Sequence, residues 1–127
     1  LWKGDESGDY YVYADQDSVY RVVFNLLDNA LKFVNDGGTV TLTLAEKDGA
    51  VLTGIRNTGK GIDPKDAGHI FERFYKTDKS RSENKRGVGI GLYLVRTIIK
   101  DLGGDIYVSS GKDEFAEFSF TLPKPEV

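Results

Sequence analysis

The stretch Val22–Phe33, V-V-F-N-L-L-D-N-A-L-K-F, carries an apolar and a polar face at helical spacing. The apolar face, which starts one turn earlier, consists of Val19, Val22, Val23, Leu26, Leu27 and Ala30. This period predicts an amphipathic α-helix whose apolar arc faces a core. Asn25, Asn29 and Lys32 fall on a neighbouring stripe, about one turn apart, so two amides and an ammonium project toward one place.

The residue types on this polar stripe suit a metal ion and a phosphate group. An amide oxygen is a hard, neutral ligand for Mg²⁺, which takes few protein ligands and leaves its other positions to phosphates and water. The lysine beside the amides can neutralise phosphate charge. A solvated polar face with two incidental asparagines produces the same pattern, so the helix alone leaves both interpretations open.

Composition excludes several classes of protein. The chain has 127 residues, which suffices for one domain with one core. Its formal net charge of −3 disfavours a nucleic-acid binder with a broad basic surface, and the lack of cysteine excludes disulfides and thiolate metal sites. No apolar run approaches the ~18 residues of a membrane span, and no signal-peptide pattern is present. Because methionine is absent, even at the first position, we expect a piece of a longer protein.

The remaining sequence predicts an α+β fold. We expect Leu1–Asp9 to be a flexible lead-in, Tyr10–Tyr13 to be a short β-type run, and Asp15 or Asp17 to cap a helix that ends near Val34. Next we expect a hairpin of Thr39–Ala45 and Val51–Arg56, which turns at Asp48-Gly49, and a short helix that starts at Asp63-Pro64. A further helix is predicted from Gly87–Gly91 to about Leu102, where Gly103-Gly104 ends it. The last element is a hairpin of Ile106–Ser109 and Phe115–Leu122. Together they predict a two-layer α/β sandwich, with one mixed, mostly antiparallel sheet and about three helices on one face.

Two glycine-rich loops follow the first predicted helix. R-N-T-G-K-G-I (Arg56–Ile62) directly follows a strand, and its glycines would let the backbone approach a flat ligand; a plain turn is the simpler reading of this string alone. R-G-V-G-I-G-L (Arg86–Leu92) opens a helix, whose free backbone N–H groups and positive dipole end suit a phosphate chain. A mobile glycine hinge is the alternative there. Neither a dinucleotide-binding fingerprint nor a P-loop is present.

A cationic segment separates the two glycine loops. Phe71, Phe74 and Tyr75 are predicted to anchor one end of it. Lys76–Arg86 carries five basic and two acidic residues, an excess of three positive charges. Such a run is usually a solvated loop, but beside a phosphate-binding helix start it also suits a mobile lid over a polyanion.

With these motifs in order, the chain is similar to the catalytic and ATP-binding domain of sensor histidine kinases, a family shared with gyrase and MutL-type ATPases. N-L-L-D-N-A-L-K-F resembles the family's N box, R-N-T-G-K-G-I its first glycine box, I-F-E-R-F-Y its F box and G-V-G-I-G-L its second glycine box. The resemblance runs from about Tyr10 to Pro123. It implies the Bergerat-type α/β sandwich, as a single domain over residues 1–127, with ATP held between the N-box helix and the lid.

The resemblance also implies roles for individual residues. Asn29 would ligate Mg²⁺ with support from Asn25, and Lys32 would approach the phosphates. Lys76 and Arg81 would reach the terminal phosphates. The adenine would lie beside Phe33, Asn57, Ile62 and Leu92, and the backbone contacts would come from Gly59, Gly61, Gly87, Val88, Gly89, Ile90, Gly91 and Leu92.

Three positions bear on the chemistry that the resemblance implies. The hydrolysing relatives have a glutamate general base at the position of Asn25, and an amide cannot take a proton at neutral pH, so phosphoryl transfer is favoured over hydrolysis. Asn57 stands where the family usually has an aspartate that reads adenine, and it remains a neutral, weaker acceptor. Ala116 replaces a residue that often bears a hydroxyl. Two alternatives therefore stay open: a nucleotide-binding regulatory module without phosphotransfer, and a gyrase-type ATPase.

The implied partners follow from the missing acceptor. His69 stands in D-A-G-H-I-F rather than in the family's acceptor motif, so we expect a surface or packing role for it. The phospho-accepting histidine would lie in a dimerisation domain upstream of Leu1, which makes the full protein a homodimer with a response regulator as its downstream partner. The domain would be cytoplasmic, attached to a membrane only through missing upstream segments of a bacterial sensor, and would bind no nucleic acid.

Overall fold

The computed structural model describes Trp2–Lys3 and residues 10–72, 91–111 and 113–125. In chain order its elements are β1 (Trp2–Lys3), α1 (Gln16–Phe33), β2 (Val40–Lys47), β3 (Ala50–Thr58), α2 (Pro64–Ala67), α3 (Gly91–Asp101), β4 (Ile106–Gly111) and β5 (Phe115–Pro123). No helix in these ranges is long and apolar enough to cross a membrane.

The strands form one sheet in the order β1-β2-β3-β5-β4. The β1–β2 pair is parallel and the other three pairs are antiparallel. Helices α1 and α3 contact each other and cover one face of this sheet, where the core lies. The core consists of Val22, Leu26, Ala30, Ile55, Ile70, Val95, Ile99, Phe118, Phe120 and Leu122. The predicted two-layer sandwich with a mixed, mostly antiparallel sheet is therefore confirmed.

Helix α1 forms as its sequence period predicts. Asp15 is the N-cap, and its carboxylate accepts from the backbone N–H of Ser18 at 3.0 Å and from the Ser18 hydroxyl at 2.9 Å. The helix ends at Phe33, because Val34 adopts an extended conformation with ψ 139°. Its predicted apolar arc is confirmed, since three of the six residues are fully buried and the other three pack against the core.

The N-cap gives a first testable prediction. Asp15→Ala should lower the free energy of unfolding by about 1 kcal/mol, because the first turn of α1 loses a capping acceptor. Asp17→Ala is the matched control, since Asp17 also lies in the first turn but does not cap the helix. Urea unfolding of both variants measures the difference. Equal losses in the two variants would show that charge near the helix end, and not the cap, provides the stabilisation.

The β2–β3 hairpin is confirmed with longer strands than predicted, and it turns at Asp48 and Gly49, which both have positive φ (53° and 78°). The end of α3 is also confirmed, with Gly103 in the left-handed region at φ 86°. Asp63 caps the four-residue α2 through its carboxylate, 3.1 Å from the Lys65 backbone nitrogen. Each of these features follows from local turn or cap chemistry.

The N-terminal part differs from the prediction. Tyr10–Tyr13 forms no strand, and the backbone hydrogen bond from Tyr13 N–H to the Pro123 carbonyl, at 3.0 Å, joins it to the end of β5. Its Tyr11 and Tyr13 side chains are 65% and 77% exposed, so they lack the packing that makes β-formers favour strands. Trp2–Lys3, inside the predicted lead-in, instead pairs with Leu42 and Thr43, a two-residue strand too short to show a sequence pattern.

Candidate functional site

A polar residue stands in an apolar row at the end of β3. Asn57 is only 2% exposed and lies on the helix-covered side of the sheet, as does Ile55 two residues earlier. Its neighbours across the strands are Val40 on β2 and Ala116 on β5, and Ser110 on β4 continues the row beyond Ala116. The alanine that replaces a family hydroxyl therefore lies beside the asparagine that replaces the family aspartate.

One end of the Asn57 side-chain amide, its nitrogen, already makes a hydrogen bond within the protein. Its Nδ2 donates to the Thr58 carbonyl oxygen at 3.1 Å. Within residues 10–72, 91–111 and 113–125, no donor hydrogen-bonds to its Oδ1. This oxygen is therefore open to accept a hydrogen bond from a ligand.

The first glycine loop is held between α1 and the β4–β5 hairpin. A Cβ on Gly59 would lie 2.7 Å from the Phe33 carbonyl oxygen, so this glycine allows close contact with the end of α1. The Gly59 N–H donates to the Glu114 carbonyl at 3.1 Å. Ile62 is half-buried against the core, and its N–H donates to the Ser110 hydroxyl at 2.7 Å. The loop is thus fixed on both sides.

Ser110 is a structural residue of the site that the sequence analysis did not identify. Besides accepting from Ile62, its hydroxyl donates to the Phe115 carbonyl at 2.9 Å. Ser110 is 48 positions from Ile62, and a serine at a strand end carries no signal of so distant a contact. Its hydroxyl is occupied by these bonds, so it does not substitute for the one missing at Ala116.

The polar stripe of α1 faces the start of α3. The Asn25 Nδ2 donates to the Arg21 carbonyl at 2.7 Å, which leaves its oxygen as the outward group. A Cβ on Gly91 would lie 3.8 Å from that oxygen, so the stripe adjoins the first residue of α3. Asn29 is half-buried, and its amide makes no hydrogen bond within the part of the chain that the structure describes. Two amides are therefore available near the N-terminal residue of a described helix, where the positive end of the helix dipole lies.

Lys32 does not project freely from the stripe. Its Nζ lies 3.1 Å from the Asp28 carboxylate, one turn earlier, and both side chains are 50% exposed. An exposed pair of this kind contributes little to stability, so the ammonium can exchange Asp28 for a more highly charged phosphate. The predicted role of Lys32 thus requires it to change partner.

The predicted site residues fall into two groups along α1. Gly59 and the half-buried Phe33 lie at the C-terminal end of the helix with Asn57 beside them, and Gly61 and Ile62 continue the same loop toward the β4–β5 hairpin. Asn25, Asn29, Gly91 and the half-buried Leu92 lie toward its middle. Asn25 and Phe33 are eight residues apart, about 12 Å along a helix axis. The arrangement suits an elongated ligand with a flat apolar end and a charged end.

Part of the predicted site lies outside the described residues. These predictions concern Lys76, Arg81, Gly87, Val88, Gly89 and Ile90, and also the F-box residues Phe74 and Tyr75. The first F-box aromatic is described, and Phe71 packs edge-on against Phe118 with ring centroids 5.9 Å apart. Its predicted role as an anchor for the cationic segment stays a prediction, since that segment lies outside the described residues.

His69 has a surface position, as predicted. Its side chain is 55% exposed, and its Nδ1 lies 2.7 Å from the Glu72 carboxylate. The described residues contain no group of three or more histidine, cysteine or acidic side chains that could hold a metal ion. Among the described residues, the oxygen donors that the polar stripe of α1 offers to a metal are the amides of Asn25 and Asn29.

Comparison with known proteins gives the family and the fold of the chain. The sequence model of the family described as histidine kinase-, DNA gyrase B-, and HSP90-like ATPase matches residues 14–126. Sensor protein SrrB of Staphylococcus aureus is 38% identical over 112 residues, which cover 88% of this chain and 19% of SrrB. The chain thus spans about a fifth of the length of the curated relatives it matches.

Solved structures share the fold. Full-length ShkA, crystallised in complex with AMPPNP, aligns over 99% of this chain and 25% of its own, with TM-score 0.83 and 30% identity. The catalytic domain of histidine kinase ThkA, free of nucleotide, aligns over 97% of this chain and 76% of its own, with TM-score 0.80 and 27% identity. The mycobacterial sensor histidine kinase MprB covers 91% of this chain and 78% of its own, with TM-score 0.79 and 30% identity.

Proposed function

This chain belongs to the family of histidine kinase-, DNA gyrase B-, and HSP90-like ATPases, and we propose that it binds Mg²⁺-ATP and transfers the γ-phosphoryl group to a histidine on a separate dimerisation domain. The observation that carries the proposal is the position of two amide oxygens. Asn57 offers one at the C-terminal end of α1, and Asn25 offers the other beside the first residue of α3. A nucleotide needs such an acceptor at its base and polar groups at its phosphates.

At the base end, the Asn57 oxygen would accept from the 6-amino group of adenine. Phe33 and Ile62 are half-buried and would supply the apolar walls beside the ring. The half-buried Leu92, at the start of α3, would complete these walls from the phosphate side. At the phosphate end, the positive end of the α3 dipole would attract the phosphate chain, with Lys32 released from Asp28. Each group has the polarity that its part of ATP requires.

The donor set fits a magnesium ion bound together with phosphates. The side-chain nitrogen of Asn25 donates to the Arg21 carbonyl, so its side-chain oxygen is the atom that faces the site. Asn29, one turn further, is the better candidate for the direct ligand because its amide is not held by another described residue. When bound, Mg²⁺ neutralises phosphate charge and fixes the geometry of the γ-phosphoryl group.

Asn25 favours transfer over hydrolysis. Hydrolysis requires a base that removes a proton from water, and an amide does not ionise at neutral pH. A histidine nitrogen is itself a nucleophile: it attacks the γ-phosphorus, a P–N bond forms as the P–O bond to ADP breaks, and ADP departs. Within the proposal, Lys76 and Arg81 stabilise the charge on the phosphoryl group during this transfer.

The proposal includes a larger assembly. The acceptor histidine lies on the chain's own dimerisation domain, the full protein is a homodimer, and the phosphoryl group passes to a response regulator. ATP use places the domain in the cytoplasm. These parts follow from similarity to sensor histidine kinases over a fifth of their length, and a full-length protein is required to examine them.

The deciding experiment mixes this chain with its upstream histidine-bearing domain and γ-labelled ATP. We expect acid-labile label on the acceptor histidine and slow release of free phosphate when the acceptor is omitted. Rapid phosphate release without labelled acceptor would instead identify a gyrase-type ATPase. Nucleotide binding with neither outcome would identify a regulatory module. An acceptor domain with its histidine replaced by alanine controls for label on other residues.

A further inference from the structure

We propose that Asn35 and Thr58 form a clamp that fixes the orientation of the Asn57 amide, and that this clamp thereby selects a 6-amino purine over a 6-oxo purine. The Asn35–Thr58 clamp comprises these two residues and the hydrogen bonds between them. Neither residue is expected to touch the nucleotide, so both are positioning residues. The inference rests on the proposed function, because it concerns how the base of a bound nucleotide is chosen.

The clamp joins the end of α1 to the end of β3. The Thr58 hydroxyl donates to the Asn35 side-chain oxygen at 2.7 Å and accepts from the Thr39 N–H at 2.9 Å. The Asn35 backbone N–H donates to the Thr58 carbonyl at 3.2 Å, and the Thr58 N–H donates to the Thr39 carbonyl at 3.0 Å. Thr58 is therefore held through its hydroxyl and through both of its backbone polar groups.

The carbonyl that the clamp holds is the one that the Asn57 side chain contacts. The Thr58 carbonyl oxygen accepts both from the Asn35 N–H and from the Asn57 Nδ2. Rotating the Asn57 amide by 180° would place its oxygen against this carbonyl, so two acceptors would face each other in a buried place. That arrangement sets two acceptors against each other and leaves the Asn57 oxygen without a donor there, while the Thr58 carbonyl keeps its bond from the Asn35 N–H, so the flipped amide is disfavoured. A fixed Thr58 carbonyl thus keeps the Asn57 nitrogen turned inward and its oxygen toward the ligand.

The fixed orientation decides which base is accepted. An outward oxygen accepts a hydrogen bond from a 6-amino group, as in adenine, but faces a second acceptor when the base carries a 6-oxo group, as in guanine. A freely rotating amide would serve both bases, since either its oxygen or its nitrogen could face the ligand. The missing negative charge at position 57 therefore need not reduce discrimination between bases as long as the clamp holds.

The same contacts set the distance between the two ends of the site. Gly59, directly after Thr58, lies against the Phe33 carbonyl, where a Cβ would approach to 2.7 Å. The Gly38 N–H donates to the Asn35 carbonyl at 2.8 Å and completes the turn after α1. Since α1 carries Asn25 and Asn29, the clamp also ties the base-reading strand to the helix proposed to hold the phosphates.

The test compares ATP with purine riboside triphosphate, which lacks only the 6-amino group, and with GTP. Calorimetry on this chain should show that ATP binds about tenfold more tightly than purine riboside triphosphate, the effect of one hydrogen bond. Asn57→Ala should remove the preference. Thr58→Val keeps the side-chain shape but loses the hydroxyl. It should reduce the preference for ATP over purine riboside triphosphate to about threefold or less and raise the affinity for GTP relative to ATP.

Paired variants separate positioning from a general loss of structure. Thr58→Ser and Asn35→Asp keep the side-chain atoms of the clamp and should retain the preference for ATP over purine riboside triphosphate. Asn35→Ala should reduce this affinity ratio, as Thr58→Val does. Lys124→Ala is the matched surface control, because it breaks the 3.0 Å pair with Glu46 at the opposite end of the sheet. It should leave every ratio unchanged.

Each remaining outcome counts against the inference in a distinct way. If Thr58→Val and Asn35→Ala weaken all three nucleotides equally, the clamp supports the fold and does not select the base. If the unmodified chain binds ATP and purine riboside triphosphate equally, nucleotide binding stands and base reading by Asn57 is wrong. If it binds none of the three, the proposed function fails together with the inference.

Discussion

Asn29→Ala should reduce phosphotransfer to the acceptor histidine at least about 100-fold, the upper end of what loss of an outer-shell partner costs a metal site. The amide on α1 is the one we assign as the direct magnesium ligand, and alanine has no atom that can replace it. Folding should be preserved, because alanine is the strongest helix former and Asn29 is held by no other described residue.

One measurement and one control variant make this prediction specific. Calorimetric titration with ATP, with and without Mg²⁺, should show that the magnesium-linked part of the affinity is lost while metal-free binding is retained. Gln16→Ala removes an exposed amide from the first turn of the same helix and should change neither quantity. If the magnesium dependence survives Asn29→Ala unchanged, the metal ligand lies elsewhere.

Gly61→Ala should lower the free energy of unfolding by about 3 kcal/mol, which combines left-handed backbone strain with overpacking. Gly61 has φ 77°, and a Cβ there would lie 2.6 Å from the Ser110 hydroxyl and 2.7 Å from the carbonyl oxygens of Gly111 and Phe115. Two of these three atoms belong to backbone held in the β4–β5 hairpin, so they cannot move aside without breaking the pairing. Nucleotide binding should weaken as well, since the adjacent Ile62 would shift.

Gly49→Ala is a closely matched control for that prediction. Gly49 has φ 78°, one degree from that of Gly61, but a Cβ there would meet nothing within 4 Å. Gly49→Ala should lower the free energy of unfolding only through left-handed backbone strain, by about 1 kcal/mol. Thermal and urea unfolding of the two variants therefore separate strain from crowding. Equal losses would mean that the first glycine loop is less confined than its contacts indicate.

The parts of the fold predicted from sequence are those fixed by local chemistry. The apolar arc of α1, the cap predicted at Asp15 or Asp17 and found at Asp15, and the Asp48-Gly49 turn each depend on residues within a few positions of one another. Tyr10–Tyr13 shows the limit of this approach, because β-forming residues make a strand only when a partner strand and packing are present. Nothing in four consecutive residues reports whether a sheet edge is within reach.

Contacts between distant residues of the site could not be predicted in this way. Ser110 reaches Ile62 across 48 positions, and Thr58 reaches Asn35 across 23. Both contacts depend on the register of the sheet and on where α1 ends against it. The Lys32–Asp28 pair is different, because residues four apart meet on a helix and the sequence alone allows this pair to be predicted.

The Asp48-Gly49 turn provides a position for engineering. Lys47 pairs with Ala50 beside the turn, and Val40 pairs with Asn57 at the other end of the same hairpin. Seven strand positions separate them, about 24 Å along the sheet. An inserted fluorophore site, affinity tag or pair of new chain termini would thus lie far from the nucleotide. The cost is one backbone hydrogen bond, from the Lys124 N–H to the Gly49 carbonyl at 3.1 Å. Sensors that report nucleotide occupancy without obstructing it can be built there.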